Sequence, residues 1–313
     1  MLWLSTMGKL PFILLTLALS TIATEAHAQS WLGEAGSLNA SFGTTYAVSD
    51  TVVETEGLDI KGVPASHASF ILGVDYVTPH DKLSVSASLP LMALKFDIDN
   101  SDVAVPHNPS LAVNDDGNFH FEAQDLRLMA NYQLVGGDYY AIMGHLGGEI
   151  PTNNYPTVGF GAPGRGLKSA LAGVSVLGLF EKWVPGLYAT ASYEFSYTED
   201  NDRDPTLAKY NQDHSTAAVV LGYYVTDDIE INLGGNAVIY HGGLNFVEFG
   251  EVSQTERDYH DEVLNERVYL AGAGASYAVT ESIGVNIFFR TFLGGQNTTN
   301  ATLGGFGLSW SVL

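Results

Sequence analysis

Cysteine is absent from the 313 residues, which excludes disulfides, thiolate zinc sites, iron–sulfur clusters and cysteine nucleophiles. Positive charge is scarce: 13 Lys and Arg face 35 Asp and Glu, a formal net charge of −22. Such a chain offers no basic face to neutralise phosphates, so nucleic acid is excluded as a partner. Long apolar runs are missing beyond the N-terminal stretch, where nothing approaches the ~18 consecutive apolar residues of a membrane helix. Helical periodicity of three and four is equally rare. What the chain does hold is 34 Gly, 16 Tyr and 15 Phe with only 15% charged residues. That is a strange balance for a cytosolic enzyme, and it suits a sheet with one face in lipid.

Residues 1–28 read as an export leader: Lys9 gives a positive start, Leu10 to Ile22 an apolar centre, and Ala26-His27-Ala28 a small-x-small cleavage site before Gln29. The expected mature domain is 29–313. Lys9 and Glu25 cancel within the leader, so that domain keeps the whole acidic surplus.

Within it, alternation of period two recurs. In the best example Leu187, Ala189, Ala191, Tyr193, Phe195 and Tyr197 share one face while Tyr188, Thr190, Ser192, Glu194 and Ser196 share the other. About twelve segments of roughly ten residues show this, the length a tilted strand needs to cross a bilayer. They fall near 37–48, 66–78, 83–95, 119–134, 138–150, 169–181, 186–198, 214–225, 228–240, 266–278, 281–293 and 302–313. Connections after the even segments are short: Thr78 to Asp81, Val135-Gly136-Gly137, Lys182 to Pro185, Thr226-Asp227-Asp228 and Val279-Thr280-Glu281. Those after the odd segments are mostly long and polar. A soluble sandwich has no reason to sort its loops this way, whereas an outer-membrane barrel has tight periplasmic turns and long external loops. Backbone polar groups in lipid must also be satisfied internally, which only a closed sheet achieves. The expected fold is therefore all-β: a transmembrane up-and-down antiparallel β-barrel of about twelve strands in a bacterial outer membrane. Tyr269 and Tyr277, bracketing Ala271, Ala273 and Ala275, suit its interfacial aromatic girdles.

Gln124-Asp125-Leu126-Arg127-Leu128, running on to Asn131-Tyr132-Gln133-Leu134, resembles an Asp-Leu pair that precedes a Tyr-x-Leu strand in the outer-membrane barrel family named for the meta-pathway of phenol degradation. Glu149-Ile150-Pro151-Thr152 resembles that family's Leu-Pro-Thr-Gly turn. The resemblance extends from about Leu38 to the C-terminus. It implies a transporter-like pore for aromatic or other small hydrophobic compounds.

Enzyme and cofactor motifs do not hold together. Gly159-Phe160-Gly161-Ala162-Pro163-Gly164 has a dinucleotide-loop spacing, but Pro163 and the lack of a following helix remove the phosphate cradle, and a flexible external loop is the expected alternative. Asp200-Asn201-Asp202-Arg203-Asp204 opens like a calcium loop, yet Thr206 and Asn211 stand where Gly and Glu are needed. This stretch and the acidic run from Glu248 to Glu262 read as solvated charge, with a loose divalent site shared with anionic lipopolysaccharide as the alternative. A rim hydrolase needs a serine and a histidine on neighbouring strands; His145 has no evident serine partner, and His214 and Ser215 point to opposite faces. No cofactor, metal or catalytic residue is expected.

With the apolar face outward, the polar face is the lumen, and its candidate residues are Asp75, Asp125, Arg127, Asn131, His145, Glu194, Glu230, Asn232, Asn236, Asn286 and Arg290. Arginine facing lipid at mid-depth costs ~2–4 kcal/mol, so Arg127 and Arg290 should point inward and pair with carboxylates such as Asp125 or Glu194. The expected function is a passive channel or transporter for small molecules, with neutral hydrophobic cargo first and small polar solutes second; the acidic field disfavours anions but not cations. The expected partners are outer-membrane lipid, lipopolysaccharide and the solute. The rival expectation is a non-conducting structural or adhesion barrel with acidic, cation- or lipid-binding loops. Oligomeric state is not readable, because lipid-facing and partner-facing apolar positions look alike.

Overall fold

A computed structural model describes residues 32–53, 59–80, 82–97, 114, 116–158, 162–200, 209–245, 259 and 263–312. The leader, residues 201–208 and all of the Glu248–Glu262 run except Tyr259 lie outside these residues. The strands are β1 (Leu38–Val53), β2 (Asp59–Val77), β3 (Leu83–Asp97), β4 (Asp116–Ala123), β5 (Asp125–Gly137), β6 (Tyr140–Pro151) and β7 (Ser169–Leu179). They continue as β8 (Leu187–Thr198), β9 (His214–Tyr224), β10 (Ile229–Tyr240), β11 (Arg267–Thr280), β12 (Ile283–Gln296), β13 (Thr298–Thr299) and β14 (Thr302–Ser311).

All pairings between these strands are antiparallel, and β1 pairs with both β2 and β14, which closes the sheet into a cylinder. β4 and β5 form one wall strand on β3, broken at Gln124, whose N–H bonds to the Pro90 carbonyl at 2.9 Å. β13 is a two-residue extension at the long-loop rim, so the wall is a twelve-stranded barrel. Every wall strand overlaps an expected segment, and most boundaries fall within a few residues of expectation.

Two short connections fall elsewhere than the sequence suggests: Val279 and Thr280 end β11, with the turn at Glu281-Ser282, and the other shift is larger. Val135-Gly136-Gly137 belongs to β5, and the turn is Asp138-Tyr139. A bulge between Gln133 and Val135 absorbs a residue and lets the strand run on.

Threonine sets three of the five short turns. Thr78 Oγ1 accepts from the His80 N–H at 3.2 Å, Thr226 Oγ1 from Ile229 N–H at 3.1 Å, and Thr280 Oγ1 from Ile283 N–H at 3.0 Å. Each hydroxyl occupies an amide that the ladder leaves unpaired, so the chain reverses without an exposed orphan donor. In a fourth, Gly186 adopts φ +82° and donates its N–H to Glu181 Oε1 at 3.0 Å.

The outer face is apolar and exposed, with Val219 at 60%, Leu233 at 62% and Ile287 at 61%. Water would be an unfavourable neighbour for a continuous wall of this kind, whereas acyl chains are not. With closure, that wall makes the protein a bacterial outer-membrane β-barrel. By the loop rule for such barrels, the short turns mark the periplasmic end.

Candidate functional site in the barrel lumen

The periplasmic half of the lumen is a cavity of about 560 Å³. Alternation on β1, β3, β7, β8 and β14 turns Ser41, Ser84, Ser86, Ser88, Ser175, Ser192 and Ser309 toward it, with Thr190 and Thr216. Short hydroxyl side chains leave the centre open while offering both donors and acceptors. Asp75 sits among them on β2, opposite Asn39 on β1 and Ser86 on β3 in the strand register. Asn131 Nδ2 donates to Ser84 Oγ at 3.2 Å.

The cavity ends on an ionic cluster. Arg127 of β5 donates from Nη1 to Glu149 Oε1 on β6 at 3.0 Å and from Nη2 to Glu194 Oε2 on β8 at 2.6 Å. His145 Nε2 is 3.6 Å from the same Glu194 oxygen, and Ser169 Oγ donates to Glu149 Oε2 at 3.3 Å. One guanidinium thus bridges two carboxylates from strands that do not neighbour each other. The ring of His145 can lie flat against the wall because β7 carries Gly173 opposite it: a Cβ there would come 2.2 Å from His145 Nε2.

Above this cluster the lumen is crossed by the connection between β6 and β7. Its described residues 155–158 and 162–167 are almost all buried, with Tyr155 at 4% and Arg165 at 9% exposure. The flexible external loop expected around Gly159–Gly164 is therefore, in its described part, an inward-folded strap. On one side Tyr155 OH donates to Asp125 Oδ1 at 2.5 Å and accepts from the Gly166 N–H at 2.9 Å, while the Gln124 amide donates to the Pro163 carbonyl. On the other side Arg165 donates to the Gln212 side-chain oxygen, reaches the Leu264 carbonyl at 3.4 Å, lies 3.7 Å from Glu266 Oε2, and stacks 3.8 Å above the Tyr240 ring. These two sets tie the strap to the start of β5 on one side and to the β9–β11 side on the other. Burial pushes the Glu266 carboxyl above its ordinary range, against the opposing pull of Arg165 and of the Thr298 hydroxyl, which donates to it at 2.7 Å.

The eleven residues expected in the lumen fall in separate groups. Asp75, Arg127, Asn131, His145 and Glu194 line the cavity. Of the two carboxylates the sequence offered to Arg127, Glu194 is its partner, while Asp125 pairs with the strap's Tyr155; register opposes Arg127 to Glu149 and Asp125 to Pro151. Glu230 accepts from Tyr188 OH at 2.5 Å and from Asn232 Nδ2 at 3.0 Å, forming its own cluster on β8 and β10. Asn236 is buried at 5%, and Asn286 fits against Gly307, where a Cβ would meet its amide at 2.5 Å. Arg290 lies along Gly272 on β11 and Gly234 on β10; a Cβ on the latter would be 2.9 Å from Nη1.

Glu149, Tyr155, Arg165, Gln212, Tyr240 and Glu266 were missed. Glu149 was within reach: counting in steps of two from His145 puts it on the same face. The strap residues carried no such signal, since alternation stops where the strand does.

A serine and a histidine do meet, on the outer face. Ser215 Oγ is 2.7 Å from His241 Nε2 and 2.8 Å from Tyr193 OH, and the His241 ring stacks on Phe195. Among the described residues no carboxylate pairs with this imidazole, and none of the histidines and acids forms a group able to hold a metal.

No protein-family profile matches the chain and no curated protein is similar to it in sequence. Among solved structures it is similar to the COG4313 outer membrane channel from Pseudomonas putida F1, at a TM-score of 0.69 and 12% identity over 91% of this chain and 98% of that one. It also aligns with the NanC porin at a TM-score of 0.47 and 10% identity, covering 87% of this chain and 98% of the porin. The P. putida toluene transporter TodX aligns at 0.46 and 10% identity, covering 90% and 91%. The first likeness shows the same barrel architecture; the other two are too distant to add to it.

Proposed function

We propose that this protein is a passive outer-membrane channel for small, polar molecules. The observation that carries the reading is the cavity of about 560 Å³, in which hydroxyls, amides and ionised groups stand beside Met129, Met143, Ala218 and Val220 from the periplasmic mouth to Arg127. A hydrophobic or aromatic cargo, expected from the sequence, would have to strip water from Asp75, Glu194 and the serine hydroxyls to pass. A polar solute exchanges its water for hydroxyls. Residues 1–28 are proposed to be removed on export, and the outward Tyr and Phe residues to contact lipid and lipopolysaccharide. No catalysis is proposed.

A second reading has its own support: the strap crosses the extracellular half, which suits a barrel that is closed at rest or does not conduct. The two are separated by adding the refolded protein to planar lipid bilayers in KCl. Discrete current steps, with erythritol-driven swelling of proteoliposomes, are expected for the channel. A permanently silent bilayer, with protein demonstrably inserted, would overturn it in favour of the structural barrel.

A further inference from the structure

The charges on the inner face do not balance. From the periplasmic mouth up to the strap the described wall carries the carboxylates Asp75, Asp125, Glu149, Glu194 and Glu230 against the guanidiniums Arg127 and Arg290. Within the cavity the asymmetry is sharper. Arg127 is the one guanidinium among its described lining residues, and both of its arms are held by carboxylates at 3.0 and 2.6 Å. An anion drawn inward would have to displace Glu149 or Glu194 to be bound. A cation has a freer approach: Asp75 and, at the mouth, Glu281 face the cavity among serines whose oxygen lone pairs can replace its water. The strap's Arg165 is not among the cavity's lining residues and is turned toward Gln212, Glu266 and the Tyr240 ring.

We infer that this lumen selects cations over anions, and that its solutes are small hydroxylated ammonium compounds, whose charge suits the carboxylates and whose hydroxyls suit the serine belt. The inference rests on the channel reading above and names the class of solute for the same site.

The test uses the full barrel in planar bilayers under an about tenfold gradient, first of KCl and then of choline chloride, reading the reversal potential. The expected result is a potential of the sign set by the cation in both salts. Glu194→Gln should lower the cation-to-chloride permeability ratio about fivefold, the factor for one unit charge acting through water at ~4 Å. Glu281→Gln, at the exposed mouth where folding is not at stake, should lower it in the same direction by less. Steps that reverse near zero or on the chloride side would overturn cation selection while leaving a conducting channel. Potassium selectivity without choline passage would overturn the ammonium solute class. A silent bilayer would instead strike the channel reading itself.

Discussion

The two halves of this lumen are enclosed by the same twelve strands, and they differ because of what the strands and loops put inside. In the periplasmic half short side chains such as Ser, Thr, Ala and Gly line the wall, and a cavity of about 560 Å³ remains. In the extracellular half Tyr155, Arg165 and Tyr240 fill the space, and the chain between β6 and β7 crosses it. Strand number sets how wide a barrel can be. Whether that width is a passage is decided by side-chain volume and by one folded-in connection.

The sharpest way to break this comparison is at Arg127, the floor between the halves. Arg127→Ala leaves Glu149 and Glu194 facing each other without a cation. Removing one partner of a buried pair costs ~3–5 kcal/mol, so the variant should unfold on heating well below the parent, as read by the gel mobility of heated barrel. A melting point unchanged from the parent would show the cluster to be solvated and the floor to be no floor.

Arg165→Ala tests the other half. It removes the bond to Gln212, the contacts with Leu264 and Glu266 and the stack on Tyr240, while the wall keeps all its ladder bonds. The expected outcome is a strap released from the β9–β11 side and a several-fold larger single-channel conductance, with barrel melting lowered by less than in Arg127→Ala. Because the chain has no cysteine, Thr157→Cys gives a clean reporter. Buried at 5% exposure in the parent, it should react slowly with a water-soluble thiol reagent and rapidly once Arg165 is gone. Equal rates in both backgrounds would mean that Arg165 does not hold the strap.

The contrast between halves also tracks what could be read from the sequence. The wall was legible because period two is a property of consecutive residues: Ser84, Ser86 and Ser88 announce an inward face of β3 without any knowledge of β2 or β5. Loop lengths then oriented the barrel. Pairing was legible only in part: Glu194 was among the carboxylates expected for Arg127, whereas Glu149 was not, since which residue of β6 meets Arg127 depends on a register that one bulge can shift. The strap was illegible for a stronger reason. Its anchors come from residues near 124, 165, 212, 240 and 264, far apart in the chain and brought together only by closure. A Gly- and Pro-rich stretch such as residues 159–166 has the composition of an exposed loop whether it folds out or in.

Glycines give a smaller effect that separates the inner face from the outer. Gly173→Ala would set a Cβ 2.2 Å from His145 Nε2 and 2.5 Å from the Tyr193 carbonyl, and should cost ~1–3 kcal/mol of barrel stability as an overpacked site. Gly304→Ala faces lipid with its nearest neighbour, the Phe288 carbonyl, at 3.6 Å, and should be neutral or slightly stabilising through a less flexible unfolded chain. Equal losses at the two positions would mean that the inward ring of His145 is not confined.

The smallest expected effect concerns pH at the strap's anchor. Burial raises the Glu266 carboxyl above its unfolded value, so its ionised form is disfavoured in the folded protein. A raised acid contributes stability that is fully present below the unfolded pKa and is lost as pH rises through the folded one. Glu266→Gln, which keeps an oxygen for the Thr298 hydroxyl at 2.7 Å in the parent, removes that loss. The variant should therefore melt slightly above the parent at neutral pH, and the two should converge below the ordinary glutamate range. If the variant instead melts lower at neutral pH, the attraction between Arg165 and an ionised Glu266 outweighs desolvation, and the extracellular half is held by charge where the periplasmic half is left open to it.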